Sequence, residues 1–267
     1  MIRARCEVLS SRQAGAYQSV TLVAPEIAER ARPGQFVEVA MPEDRRSILR
    51  RPFFIHQASR RGGWAGTIEL VVDPVGEGTA WLAGVRAHEF VDMIGPLGNG
   101  FGFPKPTNCL LLAQGYGAAP LYFLAEELRT RGKRIDMIVA APSQDRLFKP
   151  IEAKRLAHSI TIVTDDGSVG EHADPIGILA ESARAHGSEV VYAAGSKGLV
   201  RRVAAQCKAS RIPAQVALEE LMACGLGLCY TCVVPVAARG GGQANLRACV
   251  EGPVFSAGKV LWEQWVA

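Results

Sequence analysis

Residues 110–128 read LLLAQGYGAAPLYFLAEEL. A short apolar run comes first, then a glycine pair, then Leu121, Leu124 and Leu128 at helical spacing, with Gly132 as a C-terminal stop. The unit is a strand, a tight turn and a helix. Gly115 and Gly117 do not complete G-x-G-x-x-G, because Ala118 and Ala119 follow. A glycine-rich turn at this place still lets a dinucleotide approach the backbone. The alternation continues downstream. RIDMIVAA (134–141), ITIVTDDG (160–167) and EVVYAAG (189–195) read as strands; IEAKRLA (151–157), DPIGILAESARAHG (174–187) and KGLVRRVAAQCKA (197–209) read as helices. Such a series predicts a doubly wound parallel sheet with covering helices over 105–212.

Upstream, residues 1–104 carry short β-rich runs, QSVTLVA, GQFVEVAM and TIELVVD, between turn residues, with no long helical period. That texture predicts a small antiparallel β-barrel. After Pro213 the helical signal stops, and residues 213–267 form a third, small domain. The architecture expected is multidomain, β followed by α/β.

The third segment holds LEELMACGLGLCYTCVVPV (218–236) and RACVEGPVF (247–255). The spacing is Cys224-x4-Cys229-x2-Cys232-x16-Cys249. C-x4-C-x2-C…C is the plant-type ligand spacing for a [2Fe–2S] cluster. Gly225 and Gly227 remove side chains where backbone N–H groups must turn inward. Met222, Leu226, Leu228 and Val233 would lower the local dielectric and help set the potential. Structural zinc also takes four cysteines, but usually as two C-x2-C knuckles. Cys6, Cys109 and Cys207 stand singly and read as small buried hydrophobes.

With 267 residues and a net charge of +4, nothing points to nucleic acid; the Arg-Arg pairs at 45–46, 50–51, 60–61 and 201–202 lie in mixed sequence. MIRARCEVLS lacks the apolar core of a signal peptide, and no apolar run approaches a membrane span. A soluble, cytoplasmic protein is expected, and there seven cysteines do not read as a disulfide framework.

Three further stretches are weaker alone. ILRRPFFIHQ (48–57) is either a strand with core phenylalanines and exposed arginines, or a flavin seat in which a guanidinium forks onto a pyrophosphate. VGEGTAWL (75–82) puts Gly-Thr at a helix start, where free N–H groups favour phosphate. TIVTDDGSVGEH (161–172) ends a strand with Asp165 and Asp166, facing a ligand crevice or simply shaping a turn. Of the five histidines only His56, beside the arginine motif, invites attention, and packing is its default role.

Taken in order, these motifs, with GPLGNGF (95–101), TDDGSVG (164–170) and ACVEGPVF (248–255), resemble the electron-transfer subunits of the type B dihydroorotate dehydrogenases, a branch of the ferredoxin-reductase superfamily. The resemblance runs nearly the whole length. It implies an FAD-binding barrel, an NAD-binding α/β domain and a [2Fe–2S] domain ligated by Cys224, Cys229, Cys232 and Cys249. It implies that Arg51, Pro52, Phe53 and Phe54 line FAD, that Val71, Val72 and Asp73 lie on the next contact strand, and that Gly78 and Thr79 meet the pyrophosphate. Gly115, Gly117 and Asp166 fall at the nicotinamide dinucleotide.

Two departures stand out: Phe54 replaces a Ser or Thr, and Val72-Asp73 replaces a Tyr followed by Arg or Lys. Asp73 would repel a pyrophosphate unless it points away or a cation intervenes.

Nicotinamides deliver hydride, iron–sulfur clusters carry single electrons, and a flavin can do both, so FAD is expected between NAD(H) and the cluster. No catalytic acid–base dyad is needed. The implied partner is an FMN-containing dihydroorotate dehydrogenase subunit of pyrimidine biosynthesis, in a hetero-oligomer, since a TIM barrel needs about 250 residues of its own. A reductase subunit serving ferredoxin, a hydrogenase or a sulfide-handling partner is the neighbouring alternative, and a zinc-stabilised interaction module the distant one. NADH rests on the resemblance, and Arg146, after IVAAPSQD, leaves NADPH open.

Overall fold

The computed structural model describes residues 1–42, 48–103, 105 and 108–265. The Arg45-Arg46 pair and the expected boundary at residue 104 lie outside them. Six strands, β1 (Ile2–Ala14), β2 (Tyr17–Val23), β3 (Phe36–Val39), β4 (Arg51–Ser59), β5 (Thr67–Val72) and β6 (Phe90–Leu97), close into an antiparallel barrel in the order β1-β2-β5-β4-β3-β6. Period-2 patterning drives closure: Val91 and Met93 of β6 point inward with Val20 and Leu22 of β2, into a core they share with Phe53, Ile55 and Leu70. Helix α1 (Pro25–Arg30) plugs that core with Ile27, and α2 (Glu77–Ala83) adds Leu82.

The parallel sheet contains β7 (Asn108–Gln114), β8 (Arg134–Ala141), β9 (Ser159–Thr164), β10 (Val190–Ala194) and β11 (Ala214–Ala217). Helices α3 (Ala119–Thr130), α4 (Pro150–Leu156), α5 (Pro175–Ala185) and α6 (Lys197–Ser210) cover it. The central strands read as continuous apolar runs, Cys109–Ala113 and Met137–Ala141, as burial on both faces requires. Gly132, at φ +68° just beyond α3, is the stop its position predicts.

Strand order is β11-β10-β7-β8-β9, so the chain reverses direction across the sheet between β7 and β10. That is a topological switch point, where open α/β sheets bind ligands at the strands' carboxyl ends. The sheet runs on past residue 212: β11 belongs to it, and a late strand, after the hairpin β12 (Val233–Ala237) and β13 (Gln243–Arg247), returns to its edge. This strand, β14 (Val254–Ser256), pairs antiparallel with β11. Phe255, Val260 and Trp265 thereby join the core of the parallel sheet. No helix among the described residues is long and apolar enough to cross a membrane.

Candidate functional site

A cavity of about 200 Å³ opens where the three segments meet, lined from the barrel by Phe36, Pro52 and Phe54, from the turn after β7 by Tyr116, and from the C-terminal segment by residues including Leu218, Glu219 and Met222. Alternation along β4 sorts the phenylalanine pair. Phe53 fills the barrel core, while Phe54 faces outward into the contact with the parallel-sheet domain. Val71 and Val72 divide in the same way, Val72 inside the barrel and Val71 outside. Phe53 and Val72 therefore turn away from this cavity and do not line it.

Arg51 lies beside the start of α2. A Cβ on Gly78 would stand 3.4 Å from Arg51 Nε, so the guanidinium lies alongside the first turn of the helix, whose N–H groups have no partner within the helix. Thr79 Oγ1 accepts from Gly76 N at 2.9 Å and donates to Gly76 O at 3.0 Å. Its hydroxyl is thus engaged in capping its own helix, leaving the backbone as the anion donor.

Asp73, which follows β5, has the cation that its position demands: Arg146 Nη1 lies 2.8 Å from Asp73 Oδ2. This basic residue after β8 is engaged with an acid of the barrel rather than standing free for a phosphate. Glu219 feels the same acid. Crowding by the cavity walls and then the Asp73 charge push its carboxyl up to about 7.

At the switch point Gly117 packs so closely on Gly195 that a Cβ would lie 2.5 Å from its Cα, and Gly115 holds φ +52°. Gln114 Oε1 accepts from Ser196 N at 3.2 Å and from Ser196 Oγ at 2.8 Å, tying the two strand ends together. Asp166 lies elsewhere, beyond the carboxyl end of the outermost strand β9, where its Oδ1 accepts from Ser168 N at 2.9 Å. Local hydrogen bonding to Ser168 holds that exposed carboxylate below its usual pKa. The turn-forming reading describes its geometry.

The four cysteines are close enough to influence one another: Cys229 interacts with Cys224, and Cys249 with Cys232 and Cys224. Among the described residues no three Cys, His, Asp or Glu side chains converge on a single ion. Backbone N–H groups do turn inward: Leu226 N and Leu228 N both donate to Cys224 Sγ at 3.4 Å. Cys232 and Cys249 are buried and Cys229 is exposed, its thiol pulled down to about 6 by hydrogen bonds from Thr231 and then Cys224. Gly225 and Gly227 hold φ +65° and +80°. A Cβ on Gly225 would strike Glu38, and one on Gly227 would lie 2.5 Å from Val250 Cγ2. Glu38 is fully buried on β3, and neither carboxylate oxygen has a hydrogen-bond partner. Desolvation raises its pKa to about 7 against the lowering charges of Arg50 and Arg51.

Cys6, Cys109 and Cys207 are single and buried. His56 is buried away from the cavity, its Nδ1 3.0 Å from Ala119 O and its ring against Tyr122 and Phe148. The residues that sequence reasoning missed are Tyr116, Glu219 and Glu38. All three sit inside quoted stretches, Glu38 in GQFVEVAM, and the signal for Glu219 was an acid pair in an apolar run just ahead of Cys224.

Comparison with known proteins gives consistent matches. The family model for the iron–sulfur cluster binding domain of dihydroorotate dehydrogenase B matches residues 219–261. The electron transfer subunit of dihydroorotate dehydrogenase B (NAD(+)) from Desulforamulus reducens is 34% identical over 241 residues, 90% of each chain. The Geobacillus kaustophilus subunit is 33% identical over 245 residues, 91% of each. Among solved structures, an NADH-dependent reduced ferredoxin-NADP oxidoreductase studied for flavin-based electron bifurcation superposes with a TM-score of 0.84 at 26% identity, over 98% of this chain and 91% of that one. A ferredoxin NADP+ reductase from Neisseria gonorrhoeae with bound FAD and NADP shares the fold, with a TM-score of 0.59 at 17% identity over 78% of this chain and 91% of that one.

Proposed function

Because the chain belongs to the family of electron-transfer subunits of NAD-dependent dihydroorotate dehydrogenase B, we propose that it holds FAD, a [2Fe–2S] cluster and NAD(H) and works with an FMN-containing catalytic subunit in the cytoplasm. The observation that carries this reading is adjacency. Met222 lines the apolar cavity and stands two residues before Cys224, the first of the four cysteines. When bound, a flavin exchanges hydride with a nicotinamide and single electrons with an iron–sulfur centre.

The chain's own residues do the seating. Phe36, Pro52, Phe54 and Met222 exclude water from the ring pocket. Arg51 and the first turn of α2, at Gly78 and Thr79, take the pyrophosphate. Gly115 and Gly117 let a second dinucleotide close on the backbone between β7 and β10. Cys224, Cys229, Cys232 and Cys249 would hold the cluster.

The rim of the cluster loop is apolar and exposed: Leu221 and Leu228 are each 78% accessible and Tyr230 62%. Such a patch, with Cys229 at the surface among these residues, suits the face onto which a catalytic subunit docks, in a heterotetramer of two copies of each chain. A reductase serving ferredoxin is the second reading, favoured by the 0.84 superposition. Co-purification with the candidate catalytic subunit, followed by NADH-driven orotate reduction, decides between them. Flavin and iron–sulfur absorbance with iron and labile sulfide near two per chain is the expected composition. Colourless, zinc-loaded protein would overturn the reading.

A further inference from the structure

The ion pair between Asp73 and Arg146 crosses from one half of the molecule to the other. Asp73 follows β5 of the barrel; Arg146 ends the 3-10 turn Gln144–Arg146, just past the carboxyl end of β8. The loop that carries Arg146 touches the barrel repeatedly. Ala16 N donates to Asp145 O at 2.9 Å, and Tyr17 Oη donates to Arg146 O at 3.0 Å. Phe148 meets Tyr17 edge-on at 5.9 Å between centroids, and Lys149 Nζ lies 2.5 Å from Glu69 Oε1. Asp73 is also close enough to the cavity for its charge to act on Tyr116 and Glu219 of the wall. The backbone contacts hold the loop near the β1–β2 turn and Lys149 ties it to the middle of β5, while the Asp73–Arg146 pair ties it to the end of that strand, the one expected beside the flavin.

We propose that Asp73 and Arg146 form an interdomain clamp, a positioning pair that fixes the parallel-sheet domain against the flavin barrel so that nicotinamide and flavin meet at reacting distance. This rests on the FAD and NAD(H) reading above. The pair touches neither reacting atom; it acts through the approach of the two domains. Hydride transfer is steeply sensitive to that approach, since a displacement of about 1 Å can cost about a hundredfold in rate. A half-exposed ion pair adds little to global stability, so its loss should appear in geometry before it appears in folding.

The test uses the cofactor-loaded protein. Arg146→Gln and Asp73→Asn are compared with wild type and with the charge-swapped D73R/R146D. Each is examined by stopped-flow reduction of the bound flavin at saturating NADH, by flavin content, and by hydrogen exchange at the Ala16 amide. Both single variants should keep their flavin, lose about tenfold in limiting rate with little change in the NADH concentration at half-saturation, and exchange faster at Ala16. The swap should recover most of both losses.

Single variants with wild-type rate and exchange would overturn the clamp. So would a swap as impaired as the singles, or an Asp73→Asn that alone is harmless, which would mark Arg146 as a direct cofactor contact. A wild-type protein that carries no flavin, or whose flavin NADH does not reduce, sinks the functional reading instead, and the exchange data then decide the clamp by themselves.

Discussion

Gly225 holds φ +65° and has Glu38 where its Cβ would be, so Gly225→Ala meets a strained backbone and a buried carboxylate together. The backbone alone costs about 1–2 kcal/mol, and the loop should give way before the barrel does. Iron and labile sulfide per chain are expected to fall by at least half, read by colorimetric analysis. Gly177→Ala is the control: it lies inside α5 with open space around its Cβ, so the same change should stabilise by about 0.5–1 kcal/mol in denaturant unfolding. Glu38 gives a pH signature. Its folded pKa of about 7 lies above the ordinary 4.5, so the folded state holds the proton more tightly. Its contribution is fully present below about 4.5 and is lost as pH rises through about 7. Glu38→Gln should therefore raise the unfolding midpoint at pH 8 and leave it nearly unchanged at pH 4.5. At this scale the iron–sulfur-binding segment was legible because cysteine spacing is written along the chain, and the family match covers it. The Asp73–Arg146 contact was not, because its halves lie 73 positions apart and only the fold joins them.

The strands and helices of residues 110–209 were legible from period and punctuation, and the structure places them where the patterns fell. What the pattern left open was which face each side chain of ILRRPFFIHQ takes. Alternation guarantees that Phe53 and Phe54 diverge, but the register against β3, Phe36 opposite Phe54 and Val37 opposite Phe53, decides which enters the barrel. Opposite consequences follow for two similar substitutions. Phe53→Ala empties the barrel core and should cost about 3–5 kcal/mol in denaturant unfolding. Phe54→Ala opens the cavity wall, so its main expected effect is faster flavin loss on dilution, followed by flavin fluorescence. Equal stability losses with unchanged flavin retention would contradict this assignment of faces. Thr79 shows the same limit of sequence reading: Gly-Thr at a helix start was visible, but not that the hydroxyl would serve the helix's own cap.

Three textures along the chain suggested three bodies, whereas the apolar interior of the described residues forms two cores. One core lies inside the barrel, and the other runs continuously from the parallel sheet into the C-terminal segment, where Val234, Ala248, Phe255, Val260 and Trp265 pack with the strands from β7 onward. The joint was hidden because β14 has three residues, too few to carry a period, and pairs with β11 across the whole cysteine region. The electron path that we propose runs along the same joint, since residues just after β11 and just before β14 line the cavity with Leu218, Met222 and Pro253. Seating the cluster loop and finishing the sheet are then one event. A chain ended after residue 218 should lose more than its cluster. With the edge of β11 bared and the shared core opened, amide protection in β7, β10 and β11 should collapse, while β1, β2 and β6, whose core is separate, stay protected. Hydrogen exchange resolved by segment measures this. Full protection of β10 in the shortened chain would mean that the cysteine region is an appendage and that the shared core contributes nothing to holding the sheet.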